Sequence, residues 1–272
     1  MSDFDRNVAA ADYGRPLTRA EAAVVDAGLR AYMLRIYNYM VLGLAITGFA
    51  ALGAYMLSVT GDPASAVRGA TGGAAALRNG VYLTPIGYAL FVSPLKWAII
   101  LAPLALVFFL SFRIERMRPA TAQITFWIYA AMVGISLGII FLVYTHTSVV
   151  RVFFITAASF GALSLWGYTT QRDLSGMGSF LIMGLFGIII ASLVNIFLAS
   201  TALQWVISVL GVLIFAGLTA WDTQRLKSEY IYGSMEGDVL ERSAIMGALS
   251  LYLNFINLFS FLMQLLGQKN ES

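Results

Sequence analysis

Long apolar runs, separated by short polar segments, follow one another along most of the chain. A helix needs about 20 apolar residues to cross the hydrocarbon core of a bilayer. Runs of this kind cover residues 36–59, 97–112, 124–144, 152–170, 174–221 and 243–266. The fifth run is uncharged throughout, and at about 1.5 Å per residue it would measure roughly 70 Å, more than twice the core of a bilayer. It therefore predicts two spans, at 180–199 and 204–221, with a turn at Ser200 and Thr201.

Seven spans predict an all-α polytopic membrane protein, and the composition agrees with this. The 272 residues are 59% hydrophobic and 11% charged, with a mean hydropathy of +0.79. Soluble domains carry roughly 25% charged residues, so most of this surface is expected to face lipid. We predict a polar cytoplasmic tail at 1–30, a seven-helix transmembrane domain at 31–267 and a short C-terminal tail at 268–272.

Positive charge predicts how the helices are oriented in the membrane. If the N-terminus is cytoplasmic, the cytoplasmic segments hold twelve of the 17 Lys and Arg residues and the outer segments hold five. Cytoplasmic segments are usually the more basic ones. The sequence therefore predicts an inner-membrane protein with a cytoplasmic N-terminus and, after seven crossings, an outer C-terminus.

Two segments that connect the predicted spans, and two pairs of small residues, allow further structural predictions. The Gly- and Ala-rich segment 60–94 predicts a mobile outer loop with a short amphipathic piece at 81–90, and 222–242 predicts a polar cytoplasmic loop. Gly134 with Gly138, and Ala157 with Gly161, are spaced so that helix backbones can approach closely in lipid.

Function in a membrane bundle usually resides in its few intramembrane polar residues. Asp222 stands at the end of the sixth predicted span, either in the aqueous phase or turned inward as a carboxylate that gates or binds a cation. Asn254 and Asn257 share a face of the last span with Ser250. That face should point into the bundle, where the amides serve as interhelical hydrogen bonds or as part of a site. Asn195 is expected to be structural.

The inventory of reactive side chains argues against an enzyme. Cysteine is absent, and the only histidine, His146, is expected in a short outer loop. A zinc hydrolase needs three ligands from His, Cys and carboxylates, and an intramembrane aspartyl protease needs two carboxylates. Since one intramembrane Asp supplies neither, we expect no catalysis and no cofactor, and a lipid-modifying hydrolase is disfavoured. The scattered basic residues do not predict nucleic-acid binding.

Four segments resemble the transmembrane Bax-inhibitor-motif family. They are ALSLYLNFINLF at 248–259, GYTTQRDLSGMG at 167–178, WDTQ at 221–224 and GISL at 134–137. The last-helix segment is the specific one, and the resemblance covers roughly residues 30–267. It implies seven helices with the last at the centre, and a pH-sensitive ion leak chiefly for Ca²⁺.

The resemblance also implies a set of gate residues. In the family, an aspartate on the sixth helix and one on the seventh share a proton, and an arginine at the inner end of the second helix can pair with them. Asp222 matches the first aspartate, but the second position holds Asn254. Arg116 fits the arginine best and Arg113 is the other candidate. The bacterial calcium-leak member also has an acidic residue on its second helix, and 97–112 contains none.

The replacement of an aspartate by Asn254 predicts altered pH control. Two adjacent carboxylates repel each other, so one of them titrates in a useful range. An amide can instead donate a hydrogen bond to ionised Asp222, which should then stay charged over a wider pH range. We therefore expect any leak to respond weakly to pH.

Two functions from different classes follow. The first is a cation leak channel or transporter with Asp222, Asn254 and Asn257 at its inner gate, where Asp222 would contact Ca²⁺ as the transported ion. The second is a non-conducting regulator that binds a membrane protease or another stress-response partner through its N-terminal tail and the 222–242 loop. The bilayer is the environment of the chain in both cases.

Overall fold

Seven long helices dominate the computed structural model, which describes residues 19–68, 75–78, 80–232 and 237–270. Within these residues, seven helices are long and apolar enough to cross a membrane, so the chain is an all-α polytopic membrane protein as predicted. The helices are α1 (Arg19–Ser58), α2 (Leu95–Arg113), α3 (Pro119–Leu137), α4 (His146–Thr169), α5 (Ser175–Leu198), α6 (Thr201–Tyr232) and α7 (Gly237–Leu266).

The last helix lies at the centre of the bundle. In its most apolar 18-residue window 61% of the residues are buried, against 11–33% for the other six helices. It packs against α6, α1, α4 and α3. Tyr252 is fully buried at its middle, where the hydroxyl group lies 2.6 Å from that of Thr47 on α1. The expectation of a central seventh helix is therefore confirmed.

Both ends of α7 are attached to neighbouring elements. At the C-terminal end, the Thr145 amide donates to the Gln268 carbonyl (3.0 Å) and the Asn270 amide donates to the Val143 carbonyl (2.9 Å). Residues 268–270, predicted as a tail, thus pair with the turn between α3 and α4. At the N-terminal end, the Arg242 guanidinium donates to the carbonyl of Met117 (3.1 Å).

Several helices extend beyond the apolar runs that predicted them. α1 begins at Arg19, inside the predicted polar tail, whose residues 1–18 lie outside the described part of the chain. α6 runs to Tyr232 and α7 begins at Gly237, so most of the predicted 222–242 loop is helical. Hydropathy marks only the segment inside the hydrocarbon. The residues that follow Asp222 include Gln, Arg, Leu, Lys and Glu, which favour helix, so α6 continues beyond its apolar run.

The connection between α1 and α2 contains more regular structure than a loop. Its described residues form a three-stranded antiparallel sheet in the order β1-β3-β2. The strands are β1 (Val59–Thr60), β2 (Ala76–Arg78) and β3 (Val81–Leu83), accompanied by a 3-10 turn at Pro63–Ser65 and a helix at Pro85–Phe91. The predicted amphipathic piece at 81–90 is thus a strand followed by a short helix; residues 69–74 and 79 lie outside the described part.

Small residues behave differently at the two predicted pairs. A Cβ atom at Gly134 would overlap the Thr47 carbonyl of α1, so this glycine does let α3 approach α1 closely. Nothing lies within 4 Å of a Cβ added at Gly161, so the prediction of close packing at that glycine is wrong. The α5–α6 turn is at Ala199, in the left-handed conformation (φ 48°), and Ser200. The predicted turn lay one residue further on.

Candidate functional site

The position of Asp222 is set by close contacts of α6 with α4 and α5. A Cβ atom at Gly167 would overlap the backbone of Ala220, and one at Gly178 would overlap the Trp221 ring. Because these two glycines have no side chain, α6 lies close to both α4 and α5. The two residues just before Asp222 therefore pack directly on the backbones of those helices.

Gln224 ties the same part of α6 to the connection between α4 and α5. Its Nε2 donates to the carbonyl of Arg172 (2.7 Å), and its Oε1 accepts from the amide of Leu174 (2.8 Å). Asp222 therefore lies two residues before this contact, at the end of the apolar run of α6. The helix continues for ten residues beyond Asp222, so the carboxylate is not at a free helix end.

Asp222 is buried against α7. The residue is 5% exposed. Its Oδ2 accepts from the amide nitrogen of Asn254 (2.7 Å) and from the Ser250 hydroxyl (2.9 Å). The structure thus turns the carboxylate inward and brings Asp222 and Asn254 together.

The second carboxylate oxygen faces Arg225, one turn further along α6. Arg225 Nη2 lies 2.8 Å from Asp222 Oδ1 and donates to the Ser250 hydroxyl at 3.3 Å. The ion pair is close but poorly aligned: Oδ1 and Arg225 Nε are buried, and neither forms an aligned hydrogen bond with the described residues. The guanidinium also lies over the Trp221 ring (5.1 Å) and 3.7 Å from Glu229. Its side chain is 39% exposed, which leaves it room to move.

The expected arginines of the second helix are not the ones beside Asp222. Arg113 ends α2, Arg116 ends the 3-10 turn Ile114–Arg116, and both are exposed. Among the described residues, the cation paired with Asp222 is Arg225. The physical reason is proximity, because residues three apart on one helix are neighbours. Arg225 is not among the predicted site residues because the sixth span was predicted to end at Trp221. A helix extended by one turn would have shown that Asp222 and Arg225 are neighbours at i, i+3.

An open-sided cavity of about 570 Å³ adjoins the carboxylate between α5, α6 and α7, and several of the α5 side chains that line it are exposed. α5 packs mainly on α6, which leaves space between α5 and α7. The polar residues that line it are Ser192, Asp222, Arg225, Ser250, Asn254 and Asn257, and the remaining lining is apolar. Asn257 donates its amide nitrogen to the Leu253 carbonyl of its own helix (2.8 Å), so its oxygen is the atom left for a ligand.

The ligands that this site can offer a cation are oxygens from one carboxylate, two amides and two hydroxyl groups. Within the described residues, no three His, Cys, Asp or Glu side chains come together. Hard cations such as Ca²⁺ and Mg²⁺ accept carboxylate and amide oxygens together with water. A cation at this site would be held by few protein ligands and would keep part of its hydration.

The other polar residues singled out from the sequence have structural positions. Asn195 donates to the side-chain oxygen of Gln204 (3.1 Å) and accepts from the Ser200 amide (3.1 Å), which holds the α5–α6 turn. His146 is the first residue of α4 rather than part of a loop, and its ring packs against those of Tyr55 and Phe141.

Comparisons with known proteins give matches over nearly the whole chain. The family model described as "Inhibitor of apoptosis-promoting Bax1" matches residues 29–271. An uncharacterised protein of Rickettsia prowazekii is 44% identical over 261 residues, covering 96% of this chain and 99% of the relative. An uncharacterised protein of Caulobacter vibrioides is 44% identical over the full length of both. The inner membrane protein YbhL of Escherichia coli is 41% identical over 245 residues, covering 89% and 94%.

Proposed function

The chain belongs to the Bax inhibitor family of membrane proteins, and on that premise we propose that it is a leak pathway for cations, chiefly Ca²⁺, across the inner membrane. Asp222, Asn254 and Asn257 form the inner gate, and the protein transports rather than catalyses. Its N-terminus is cytoplasmic and its C-terminus lies outside.

The observation that carries this proposal is a buried carboxylate beside a cavity in an otherwise apolar bundle. An ionised group at membrane depth is costly unless it is paired or hydrated, and it marks an ion path more often than a structural contact. Asp222 is the carboxylate, and the cavity continues from it past Asn254 to Asn257. An ion that leaves water at Asp222 would therefore meet further oxygen ligands along the cavity.

Arg225 is the residue that keeps the gate closed in this proposal. Its guanidinium occupies the space next to Asp222 Oδ1 that a cation would need. Two positive charges repel each other at that distance, so cation entry requires Arg225 to swing away toward Glu229 and the aqueous phase. The cation and Arg225 then exclude each other.

The pairing of Asp222 with an amide also predicts the response to pH. Asn254 and Ser250 donate hydrogen bonds to the Asp222 carboxylate, and the Arg225 guanidinium lies beside it. No second carboxylate adjoins it in the described part of the chain. Flux should therefore change little with pH near neutrality.

Calcium entry into vesicles tests the proposal. The purified full-length chain is reconstituted into liposomes that hold a calcium-sensitive dye. We expect entry above that of empty vesicles, reduced to background by Asp222→Ala and unchanged by Asp173→Ala, which removes an exposed carboxylate. Equal entry through wild type and Asp222→Ala contradicts a role for this carboxylate.

One observation favours the alternative of a non-conducting regulator. The Asp222–Arg225 pair is neutral and lies within one helix, so it would also serve a bundle that never opens. The partner surface predicted at 222–242 would then be the extended ends of α6 and α7. Reconstituted protein that is folded but admits no calcium would support the regulator and contradict the leak.

A further inference from the structure

A stripe of residues on α7 extends beyond the inner gate. Ser250, Asn254, Asn257, Phe261 and Gln264 are spaced by four, three, four and three residues, which places them on one helix face. The first four line the cavity. All are polar except Phe261, so the stripe consists of an inner polar part, one aromatic ring and an outer polar residue.

The outer residue belongs to a second polar cluster between α5, α6 and α7. Gln204 Nε2 donates to Gln264 Oε1 (2.5 Å), and the Ser208 hydroxyl donates to the same oxygen (2.9 Å). Asn195 joins the cluster through Gln204. Gln264 and Gln204 are exposed, whereas Ser208 is buried. The cluster therefore reaches from the surface into the bundle toward Phe261.

Phe261 fills the position between the two polar regions. Its ring stacks on Phe215 of α6, with centroids 5.9 Å apart. A Cβ atom at Gly211 would approach the ring to 2.6 Å, so the absence of a side chain at Gly211 lets the ring lie directly on the backbone of α6. The inner cavity and the outer cluster are thus separated along α7 by about one turn occupied by an aromatic ring.

We propose that Phe261 is a hydrophobic gate on a path that runs along the α5–α6–α7 face, from Asp222 to an outer site formed by Gln204, Ser208 and Gln264. This rests on the proposed function and adds a second barrier to it. An apolar constriction excludes water, and an ion cannot pass a dry segment without losing its hydration. The amide and hydroxyl oxygens on either side would rehydrate or bind the ion once the ring moves.

The competing explanation is that these polar residues only hold the helices together. Amide and hydroxyl groups commonly form hydrogen bonds between helices in membranes. Such contacts would leave Asn257 inaccessible to water, whereas a path makes it accessible from the Asp222 side, with the exposed Gln264 as the reference for the opposite side. Accessibility therefore separates the two explanations without any measurement of ion flux.

The absence of cysteine from the chain allows a direct test. Asn257→Cys and Gln264→Cys are made singly and exposed to a membrane-impermeant thiol reagent in right-side-out and inverted membrane vesicles. We expect the thiol at 257 to react only from the Asp222 side and the thiol at 264 only from the opposite side. Failure of both positions to react, or reaction of both from one side, overturns the path.

Substitutions of Phe261 then test whether its ring closes the path. Phe261→Ala should let reagent from the outer side reach the thiol at 257 and should raise its labelling several-fold, whereas Phe261→Leu, which keeps an apolar side chain, should not. Thermal unfolding of each variant verifies that it is folded. Unchanged labelling in folded Phe261→Ala overturns the gate. Sided labelling in a protein that admits no calcium would refute the leak and leave the path standing.

Discussion

Asn254 on the central helix donates a 2.7 Å hydrogen bond to Asp222 on α6. The amide occupies the position at which the family resemblance implied a second carboxylate. Asp222 thereby accepts a hydrogen bond from an amide at a position where a second carboxylate would have repelled its charge.

Asn254→Asp should give the leak a steep dependence on pH. Two carboxylates at this distance cannot both ionise cheaply, so one must hold a proton, and its loss would change the charge of the gate. Wild-type flux should vary little between about pH 6 and about pH 8, whereas flux through the variant should vary strongly in that window. The measurement is calcium entry into liposomes across a pH series. A steep wild-type profile that the substitution leaves unchanged would show that Asn254 does not set the pH response.

Arg225→Gln should increase flux and lower stability. Removing the guanidinium frees the space beside Asp222 Oδ1 but leaves a buried carboxylate without its counter-charge. We expect several-fold faster calcium entry and a loss of roughly 1–2 kcal/mol of stability, less than for a fully buried pair because Arg225 is partly exposed. Arg172→Gln, an exposed arginine on the same side, is the matched control. Flux as low as that of Asp222→Ala would mean that Arg225 supports conduction and does not block it.

Two glycines of α4 offer a matched pair for stability. Gly167→Ala introduces a methyl group that overlaps the Ala220 backbone, so it should destabilise the protein by about 1–3 kcal/mol and displace Asp222. Gly161→Ala, two turns earlier on the same helix, meets nothing within 4 Å and should be neutral or stabilising, because alanine favours helix more than glycine does. Thermal unfolding in detergent measures both. Equal losses would show that close approach at Gly167 is not what limits packing there.

Asp173 provides a pH-dependent contact outside the spans. Hydrogen bonds from the Ser175 hydroxyl and amide lower the pKa of the Asp173 carboxyl. A group whose pKa is lowered on folding stabilises the fold above its ordinary pKa, and that contribution is lost as the pH falls through the lowered value. The difference in melting temperature between wild type and Asp173→Ala should therefore be constant near neutrality and shrink in acid. A difference that grows as the pH falls would contradict this sign.

Sequence patterns could predict the number of helices because the bilayer fixes the length of an apolar run. They could not predict where the helices end. Beyond Trp221 the residues become polar, and the pattern could not distinguish a helix in water from a loop. Because of this ambiguity, the sequence did not predict that Arg225 lies on the helix one turn beyond Asp222, where it pairs with the carboxylate. Similarly, the stretch 81–83 is too short for hydropathy to separate a strand from a helix.

The inward position of Asp222 also could not be derived from periodicity alone. A carboxylate after a tryptophan at the end of an apolar run has two consistent positions, in water or in the bundle. The contacts that decide between them, at Gly167, Gly178 and Gln224, involve residues distant along the chain. The shared face of Asn254, Asn257 and Ser250, by contrast, follows directly from helical spacing and was predictable.

The attachment of both ends of α7 bears on how the proposed leak would open. The central helix is hydrogen-bonded to the α3–α4 turn at one end and to Met117 at the other, whereas α5, which forms one wall of the cavity, packs mainly on α6. The outward-facing residues of α5 are apolar and exposed, as expected of a surface that faces acyl chains. An opening that displaced α5 would also displace lipid, so the thickness of the surrounding bilayer would contribute to the energy of the transition.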